Sequence, residues 1–251
     1  MPSRRPNQSI AGESRVLSEY FSLLRSSVYR AEGLPRGEGR VVIVLPGLFG
    51  TDFYLAPLRT WLRRLGYRPE LSMVGVNAGC ADRLLAKVSG RLLPRLEAEE
   101  EVAIIGHSRG GMLGKALAAQ LGERVSHFVA LGSPLGGMLS MGPEDFTALA
   151  GQAAGGSRVA NPSVVQAGQN AMRLLDPDCS APMCGCDYMT ALLSPWPVAT
   201  RKTAIYSRED PIVPPLACRL DGADNVEISG SHGGLVVNAG AFEHIADALA
   251  R

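Results

Sequence analysis

Short runs of apolar, β-branched residues alternate along most of the chain with longer segments whose apolar residues recur at helical spacing. The short runs predict strands at 41–45, 71–76, 102–106, 126–131, 203–207 and 225–229. The helical spacing predicts helices at 13–31, 54–65, 83–99, from 109 to a stop at Gly122, and at 241–250. Strands that alternate with helices favour an α/β fold with a mostly parallel sheet and right-handed crossovers.

The alternation lapses between Leu135 and Thr200, where a glycine-rich run, several prolines and three clustered cysteines occur. An insertion of this length between two sheet strands is typical of a cap or lid. The predicted organisation is therefore a tail and packing helix at 1–39, core at 40–134 and 201–251, and a cap at 135–200. The alternative for the first helix is an interfacial helix that touches lipid, with three arginines at its polar edge.

A Gly-x-Ser-x-Gly motif spans Gly106 to Gly110, directly between a predicted strand and a predicted helix. This context raises the motif above a chance match. Any side chain at Gly106 or Gly110 is expected to collide across the sharp turn. The turn strains the backbone of Ser108 and places its hydroxyl in front of a helix N-terminus, which favours negative charge. The motif therefore predicts Ser108 as a nucleophile.

A serine nucleophile needs a base, and the chain holds only four histidines. His107 is expected to point away from the serine along its strand, and His127 lies at the start of the fourth strand, at the opposite edge of the sheet. His244 falls inside the C-terminal helix. His232 follows the last strand in a glycine-flanked loop at the same edge as Ser108. The sequence therefore predicts His232 as the base.

A carboxylate must orient the imidazole and stabilise its protonated form. Asp210 and Glu209 both lie on the loop after the fifth predicted strand. Asp210 is favoured because the proline turn that follows it re-enters the core directly. The other nearby carboxylates are predicted to be turn residues: Asp221 and Asp224. The chain order Ser108, Asp210, His232 is the order found in one class of serine hydrolases.

Acyl transfer also needs N–H donors for the oxyanion of the tetrahedral intermediate. The backbone N–H of Arg109, directly after the nucleophile, is one candidate, and Leu48 in the loop after the first strand is the other. Pro46, Gly47 and Gly50 suit a loop whose backbone faces a ligand closely. The alternative for this loop is a plain strand-to-helix turn.

Four motifs together resemble the α/β-hydrolase superfamily and, within it, the bacterial lipases and esterases. They are Pro-Gly-Leu-Phe-Gly at 46–50, Gly-His-Ser-Arg-Gly-Gly at 106–111, Ser-Arg-Glu-Asp-Pro-Ile-Val-Pro at 207–214 and Gly-Ser-His-Gly-Gly-Leu at 230–235. The resemblance covers roughly 40–134 and 200–251. It implies an α/β-hydrolase fold with helices on both faces of the sheet and a cap, and hydrolysis through an acyl-enzyme without a cofactor.

The resemblance assigns the nucleophile, acid and base to Ser108, Asp210 and His232, and the oxyanion donors to Leu48 and Arg109. Many relatives begin the oxyanion loop with His-Gly, whereas this chain has Pro-Gly. Similar lipases also join a cysteine after the acid loop to an earlier one, which here implies a bridge between Cys186 and Cys218.

Apolar side chains of the oxyanion loop and the predicted cap would line an acyl pocket if they face inward, although core packing explains each of them equally well. They are Leu48, Phe49, Phe53, Tyr54, Leu135, Met138, Leu139 and Met141. The predicted substrate is a small acyl ester or a lipid with an apolar acyl group. Acyl transfer or thioester chemistry by the same groups is the first alternative. A non-catalytic binding module is the second.

Composition bears on three further questions: nucleic-acid binding, cellular compartment and metal binding. The 251 residues carry a net charge of +1, and no cluster of basic residues favours nucleic acid as a partner. No apolar segment follows the N-terminal arginines, so no secretory signal is visible and a cytoplasmic protein is expected, or an exported one if a signal was removed. The cysteines and aspartates near 176–187 match no common zinc site, and no metal is predicted.

Overall fold

A computed structural model describes residues 15–139 and 185–251. Within them, six strands form one parallel sheet in the order β2-β1-β3-β4-β5-β6. The strands are β1 Val41–Leu45, β2 Arg68–Leu71, β3 Val102–His107, β4 Val125–Leu131, β5 Arg201–Ser207 and β6 Asp224–Ile228. The predicted mostly parallel α/β architecture is confirmed.

The described helices flank the sheet. They are α1 Val16–Arg25, α2 Ala56–Arg64, α3 Ala81–Leu92, α4 Arg109–Leu121, α5 Leu135–Leu139, α6 Asp187–Leu193, α7 Pro215–Cys218 and α8 Ala239–Leu249. Successive strand residues point to opposite faces. Val41 and Ile43 therefore pack with α3, α4 and α6, whereas Val42 and Val44 pack with α1, α2 and α8. No helix of the described residues is long and apolar enough to span a membrane.

Five predicted strands are confirmed with end points within two residues, but the second is wrong. The structure places β2 at Arg68–Leu71, whereas the prediction was 71–76. This strand lies at the sheet edge and pairs with β1 alone, so Pro69 and its polar neighbours are tolerated there. The backbone N–H groups of Ser72 and Met73 donate to the carboxylate of Asp52 instead of to a neighbouring strand.

Two predicted helices are too long. The first ends at Arg25, where the Ser26 hydroxyl and N–H both donate to the Leu23 carbonyl. The helix predicted at 83–99 ends at Leu92 and continues as a short 3-10 turn, Leu93–Leu96. Pro94 lies in that turn, and proline removes a helical hydrogen bond and clashes with the preceding turn.

Two ends of the predicted cap belong to the described residues. At its beginning, α5 packs against α7, and at its end, α6 packs against α4 through Tyr188, Met189 and Leu192. Residues 140–184 lie outside the described residues. The cap therefore stays a prediction.

The strand order places a topological switch point between β1 and β3. The chain runs from β1 outward to β2 and then returns to β3 on the other side of β1. The loops that leave the carboxyl ends of β1 and β3 therefore diverge to opposite sides, and ligands of open α/β sheets bind at such switch points. Ser108 and the loop 46–52 both lie there.

Candidate active site

Ser108 occupies the sharp turn between β3 and α4. Its backbone has φ 53° and ψ −125°, a conformation that non-glycine residues rarely adopt. Two hydrogen bonds hold it there: the Ser108 N–H donates to the Leu131 carbonyl (2.8 Å), and the Ser133 hydroxyl donates to the Ser108 carbonyl (2.7 Å). The surrounding contacts thus stabilise a strained serine at the N-terminus of a 13-residue helix.

The glycines of the motif are required by the space around the turn, as predicted. A Cβ atom at Gly106 would overlap the backbone of Gly111. A Cβ atom at Gly110 would lie 2.5 Å from the Pro46 carbonyl oxygen and overlap that of Leu45. The end of β1 and the start of α4 can approach this closely only without those side chains.

Gly110→Ala is therefore expected to lower the free energy of unfolding by about 3 kcal/mol or more, because the new methyl group meets rigid backbone. Gly90→Ala is the matched control. Gly90 lies in α3 with nothing within 4 Å of an added Cβ atom. Its replacement is expected to raise the free energy of unfolding by about 0.5–1 kcal/mol. Urea unfolding measures both, and equal effects of the two substitutions would contradict this account of the turn.

Asp210 and His232 are in contact. The Asp210 Oδ2 atom lies 2.6 Å from His232 Nδ1, and both side chains are buried. The second oxygen of Asp210 accepts the N–H groups of Ile212 (2.8 Å) and Val213 (2.9 Å). A carboxylate held in this way keeps the imidazole proton on Nδ1, so Nε2 carries the lone pair.

The neighbouring carboxylate, Glu209, makes no such contact. It pairs with Arg15 at the surface, where both side chains are largely exposed. An exposed pair of this kind contributes little to stability. Of the two carboxylates that the sequence left as competitors, the structure therefore brings Asp210 to the imidazole and leaves Glu209 outside.

The end of β4 lies between the serine and the imidazole–carboxylate pair. Leu131 accepts the N–H of Ser108, and the next residue, Gly132, lies beside the pair. A Cβ atom at Gly132 would be 3.3 Å from His232 Nδ1 and 3.4 Å from Asp210 Oδ2. Its left-handed backbone (φ 53°) and missing side chain allow this approach. The loops that follow β3, β5 and β6 thus lie next to one another around the Leu131–Gly132 peptide at the end of β4.

The loop after β1 is held by Asn77, for which the sequence predicts no role in the site. The buried Asn77 donates from Nδ2 to the Pro46 carbonyl (2.7 Å) and from its N–H to the Gly50 carbonyl (2.9 Å). Its own carbonyl accepts the N–H of Phe49 (2.9 Å). The guanidinium of Arg109 also donates to the Asn77 carbonyl (3.2 Å). Asn77 therefore sets the shape of the loop that carries the candidate oxyanion donor.

The Leu48 N–H is not used by any hydrogen bond among the described residues. It precedes Phe49, whose positive φ of 58° turns the loop. Arg109 is the first residue of α4 and directly follows the candidate nucleophile. Both candidate donors lie at the switch point between β1 and β3.

Glu19 of α1 holds the loop that carries His232. Its carboxylate accepts the N–H of Ser231 (2.8 Å) and the Ser231 hydroxyl (2.6 Å). A Cβ atom at Gly234 would overlap this carboxylate, so the glycine allows its approach. Nothing in the sequence around Glu19 indicates this role. The helix predicted to pack on the domain also fixes the position of the candidate base.

Comparison with known proteins gives the fold. No protein-family model matches the chain, and no curated protein matches it. Among solved structures, the monoacylglycerol lipase of Paleococcus ferrophilus aligns with a TM-score of 0.53 at 15% identity, over 86% of this chain and 96% of that one. An α/β hydrolase enzyme from the metagenome of sediments of the Mar Chica lagoon, Morocco, aligns with a TM-score of 0.50 at 18% identity, over 84% and 90%. The chain has the α/β-hydrolase fold.

In this α/β-hydrolase fold the predicted substrate-contacting side chains lie in different surroundings. Phe49 and Phe53 are exposed by 49% and 85% and lie in the segment between β1 and α2. Leu135, in contrast, is fully buried and packs in the core on the α4 face. The side chain of Met138 lies outside the described residues. Of the three side chains that the structure describes, the two phenylalanines present an apolar surface to solvent.

The bridge that the resemblance implied is wrong. Cys218 is a free, buried thiol, and burial together with the charge of Asp210 raises its pKa well above the usual range. Cys179 and Cys184 lie outside the described residues. Within 15–139 and 185–251, no three histidine, cysteine or carboxylate side chains are grouped in a way that could hold a metal ion.

Proposed function

We propose that the chain is a serine hydrolase that cleaves carboxylic esters through an acyl-enzyme on Ser108. The observation that carries the proposal is the buried contact between Asp210 and His232, set beside a strained serine at a helix N-terminus. A nucleophile, a base and a group that orients the base are what acyl transfer requires.

In the proposed reaction, the Ser108 oxygen attacks the ester carbonyl carbon while His232 Nε2 takes the hydroxyl proton. The backbone N–H groups of Leu48 and Arg109 stabilise the oxyanion. The carbon–oxygen bond to the alcohol then breaks, and His232 returns its proton to the leaving oxygen. Water, deprotonated by His232, attacks the acyl-enzyme and releases the carboxylic acid, which restores the serine.

The proposed substrate has an apolar acyl group. Phe49 and Phe53 present exposed aromatic rings on the loop that carries the candidate oxyanion donor. Aromatic surface next to the reacting groups favours an aliphatic or aromatic acyl chain over a charged one, because its burial removes apolar area from water. Esters and lipids with such acyl groups are therefore the proposed ligands.

A fluorophosphonate probe and p-nitrophenyl butyrate test the proposal together. We expect the folded protein to hydrolyse the ester and to take one probe molecule, which peptide mass spectrometry assigns to Ser108. Heat-denatured protein is the control and should take none. If folded protein, verified by circular dichroism, neither hydrolyses the ester nor takes the probe, the chain is a binding module instead. Product analysis with an added alcohol separates hydrolysis from acyl transfer.

A further inference from the structure

Four polar groups form a continuous hydrogen-bonded chain beneath the candidate site. The Gly47 N–H donates to the Tyr54 hydroxyl (3.2 Å), and this hydroxyl lies 2.5 Å from His107 Nδ1. The other ring nitrogen of His107, Nε2, lies 3.0 Å from the carbonyl oxygen of His232. The sequence predicts only that His107 points away from the serine. Its buried ring instead packs against His232, with the ring centres 4.8 Å apart.

The direction of every bond in this chain is fixed by its two ends. An amide N–H can only donate, and a carbonyl oxygen can only accept. His107 must therefore carry its proton on Nε2 and accept on Nδ1. The Tyr54 hydroxyl must in turn donate to His107 and accept from Gly47. Burial and the neighbouring imidazole of His232 lower the pKa of His107 to about 3, so the His107 ring stays neutral throughout pH 5–8.

This hydrogen-bonded chain connects the three segments that carry the proposed oxyanion donor, nucleophile and base. Gly47 directly precedes Leu48, the candidate oxyanion donor, and His107 directly precedes Ser108. The far end of the chain is the backbone of His232 itself. The fit is close, since a Cβ atom at Gly47 would lie 2.9 Å from His107 Nδ1 and 3.2 Å from the Ser108 Cβ.

We propose that Tyr54 and His107 are positioning residues that fix the positions of the oxyanion loop and the base relative to the nucleophile. The inference rests on the proposed function, because the relative positions of these groups matter only if they act in one reaction. Both residues act through others: Tyr54 through Gly47, and His107 through the carbonyl of His232. A displacement of either loop would misplace a donor or the base, and such misplacement is costly in rate.

Tyr54→Phe tests the hydroxyl, with Tyr67→Phe as the matched control. Tyr67 is also a buried tyrosine, but it precedes β2 at the opposite edge of the sheet. We expect Tyr54→Phe to lower kcat for p-nitrophenyl butyrate by about tenfold, part of the loss that removal of an oxyanion donor causes. KM should change by less than about twofold, because a positioning defect acts on the transition state.

The rate at which fluorophosphonate labels Ser108 should fall in parallel, since that reaction also develops charge on an oxygen. Rates are normalised to the titrated fraction of active sites, so that a loss of folded protein does not count as a loss of kcat. If Tyr54→Phe and Tyr67→Phe have the same kcat within about twofold, the hydroxyl is merely structural and the inference is wrong.

A second measurement does not depend on activity. Long-range ¹H–¹⁵N spectra of the wild-type protein give the tautomer of each histidine ring, with signals assigned from His127→Gln, His232→Gln and His244→Gln. We expect His107 to show the neutral Nε2–H tautomer throughout pH 5–8. A ring that titrates in this range, or that carries its proton on Nδ1, would overturn the inference. If the expected tautomer is found in a protein that hydrolyses no ester, the proposed function fails and the hydrogen-bonded chain stands.

Discussion

Replacement of Ser108 with alanine is expected to lower kcat for ester hydrolysis by about 10⁴- to 10⁶-fold and to abolish fluorophosphonate labelling. In the proposed reaction the hydroxyl supplies the atom that forms the acyl-enzyme. The backbone donors of Leu48 and Arg109 remain in the variant. A small residual rate above that of buffer is therefore expected.

Ser108→Gly separates the chemical role of this residue from its conformational cost. Both variants lack the hydroxyl, but only glycine adopts φ 53° and ψ −125° without strain. Strain of this kind costs about 1–3 kcal/mol, and glycine avoids it. The greater entropy of glycine in the unfolded chain offsets up to about 1 kcal/mol of that gain. We expect the glycine variant to unfold with a free energy about 1 kcal/mol higher than the alanine variant. Urea unfolding of the two proteins measures this difference.

Ser126→Ala is the control for both variants. Ser126 lies on β4 at the amino-terminal edge of the sheet, where its hydroxyl contacts the Val102 carbonyl (3.3 Å) and His127 (2.8 Å). Its replacement should leave kcat within about twofold of the wild type. If Ser108→Ala retains more than about a tenth of the wild-type kcat, the acyl-enzyme on Ser108 is rejected. If the alanine and glycine variants are equally stable, the strain at position 108 is not a cost.

The fold was predictable because its signals are local. Buried parallel strands are continuous apolar runs, and the glycines at their carboxyl ends follow from the sharp turns there. Ser108 and Asp210 each follow such a run, His232 follows the more polar edge strand β6, and parallel strands bring their carboxyl ends to one edge. Their positions along the chain therefore predict that they lie at one edge of the sheet, and the structure brings Asp210 into contact with His232.

The edge strand β2 was misplaced because its sequence lacks that signal. An edge strand has one partner and tolerates proline and polar residues, so Arg68–Leu71 does not read as an apolar run. The more apolar stretch that follows it was predicted as the strand. There, however, the carboxylate of Asp52 takes the backbone N–H groups of Ser72 and Met73, and no partner strand is needed.

The residues that support the site were missed for a different reason. Asn77, Glu19 and Tyr54 bind groups that are 7 to 212 positions away in the sequence. Locally, each one resembles a turn residue, a solvated helix residue or a core aromatic. Only the three-dimensional structure shows that their hydrogen bonds fix the two loops beside Ser108. Candidate catalytic residues that follow strands could therefore be predicted from the sequence, whereas the distant residues that hold their loops could not.

Asp210→Asn is the second large effect that we expect. The variant keeps the size and burial of the side chain but replaces one carboxylate oxygen with an N–H donor. The amide can then donate to His232 Nδ1, which moves the imidazole proton to Nε2 and leaves no lone pair to accept the Ser108 proton. A change of this kind lowers kcat by about 10⁴-fold at neutral pH. Steady-state hydrolysis of p-nitrophenyl butyrate measures it.

Glu209→Gln is the matched control, because it makes the same chemical change one residue earlier. The Glu209 carboxylate pairs with the exposed side chain of Arg15, and only the Glu209 backbone N–H donates to the Ser207 hydroxyl, so kcat should stay within about twofold. The tautomer gives an independent check: His232 should carry its proton on Nδ1 in the wild type and in Glu209→Gln, but on Nε2 in Asp210→Asn. If Glu209→Gln proves the more damaging variant, the acid has been assigned to the wrong carboxylate. If both variants keep the Nδ1 proton and full activity, the contact between Asp210 and His232 does not orient the base.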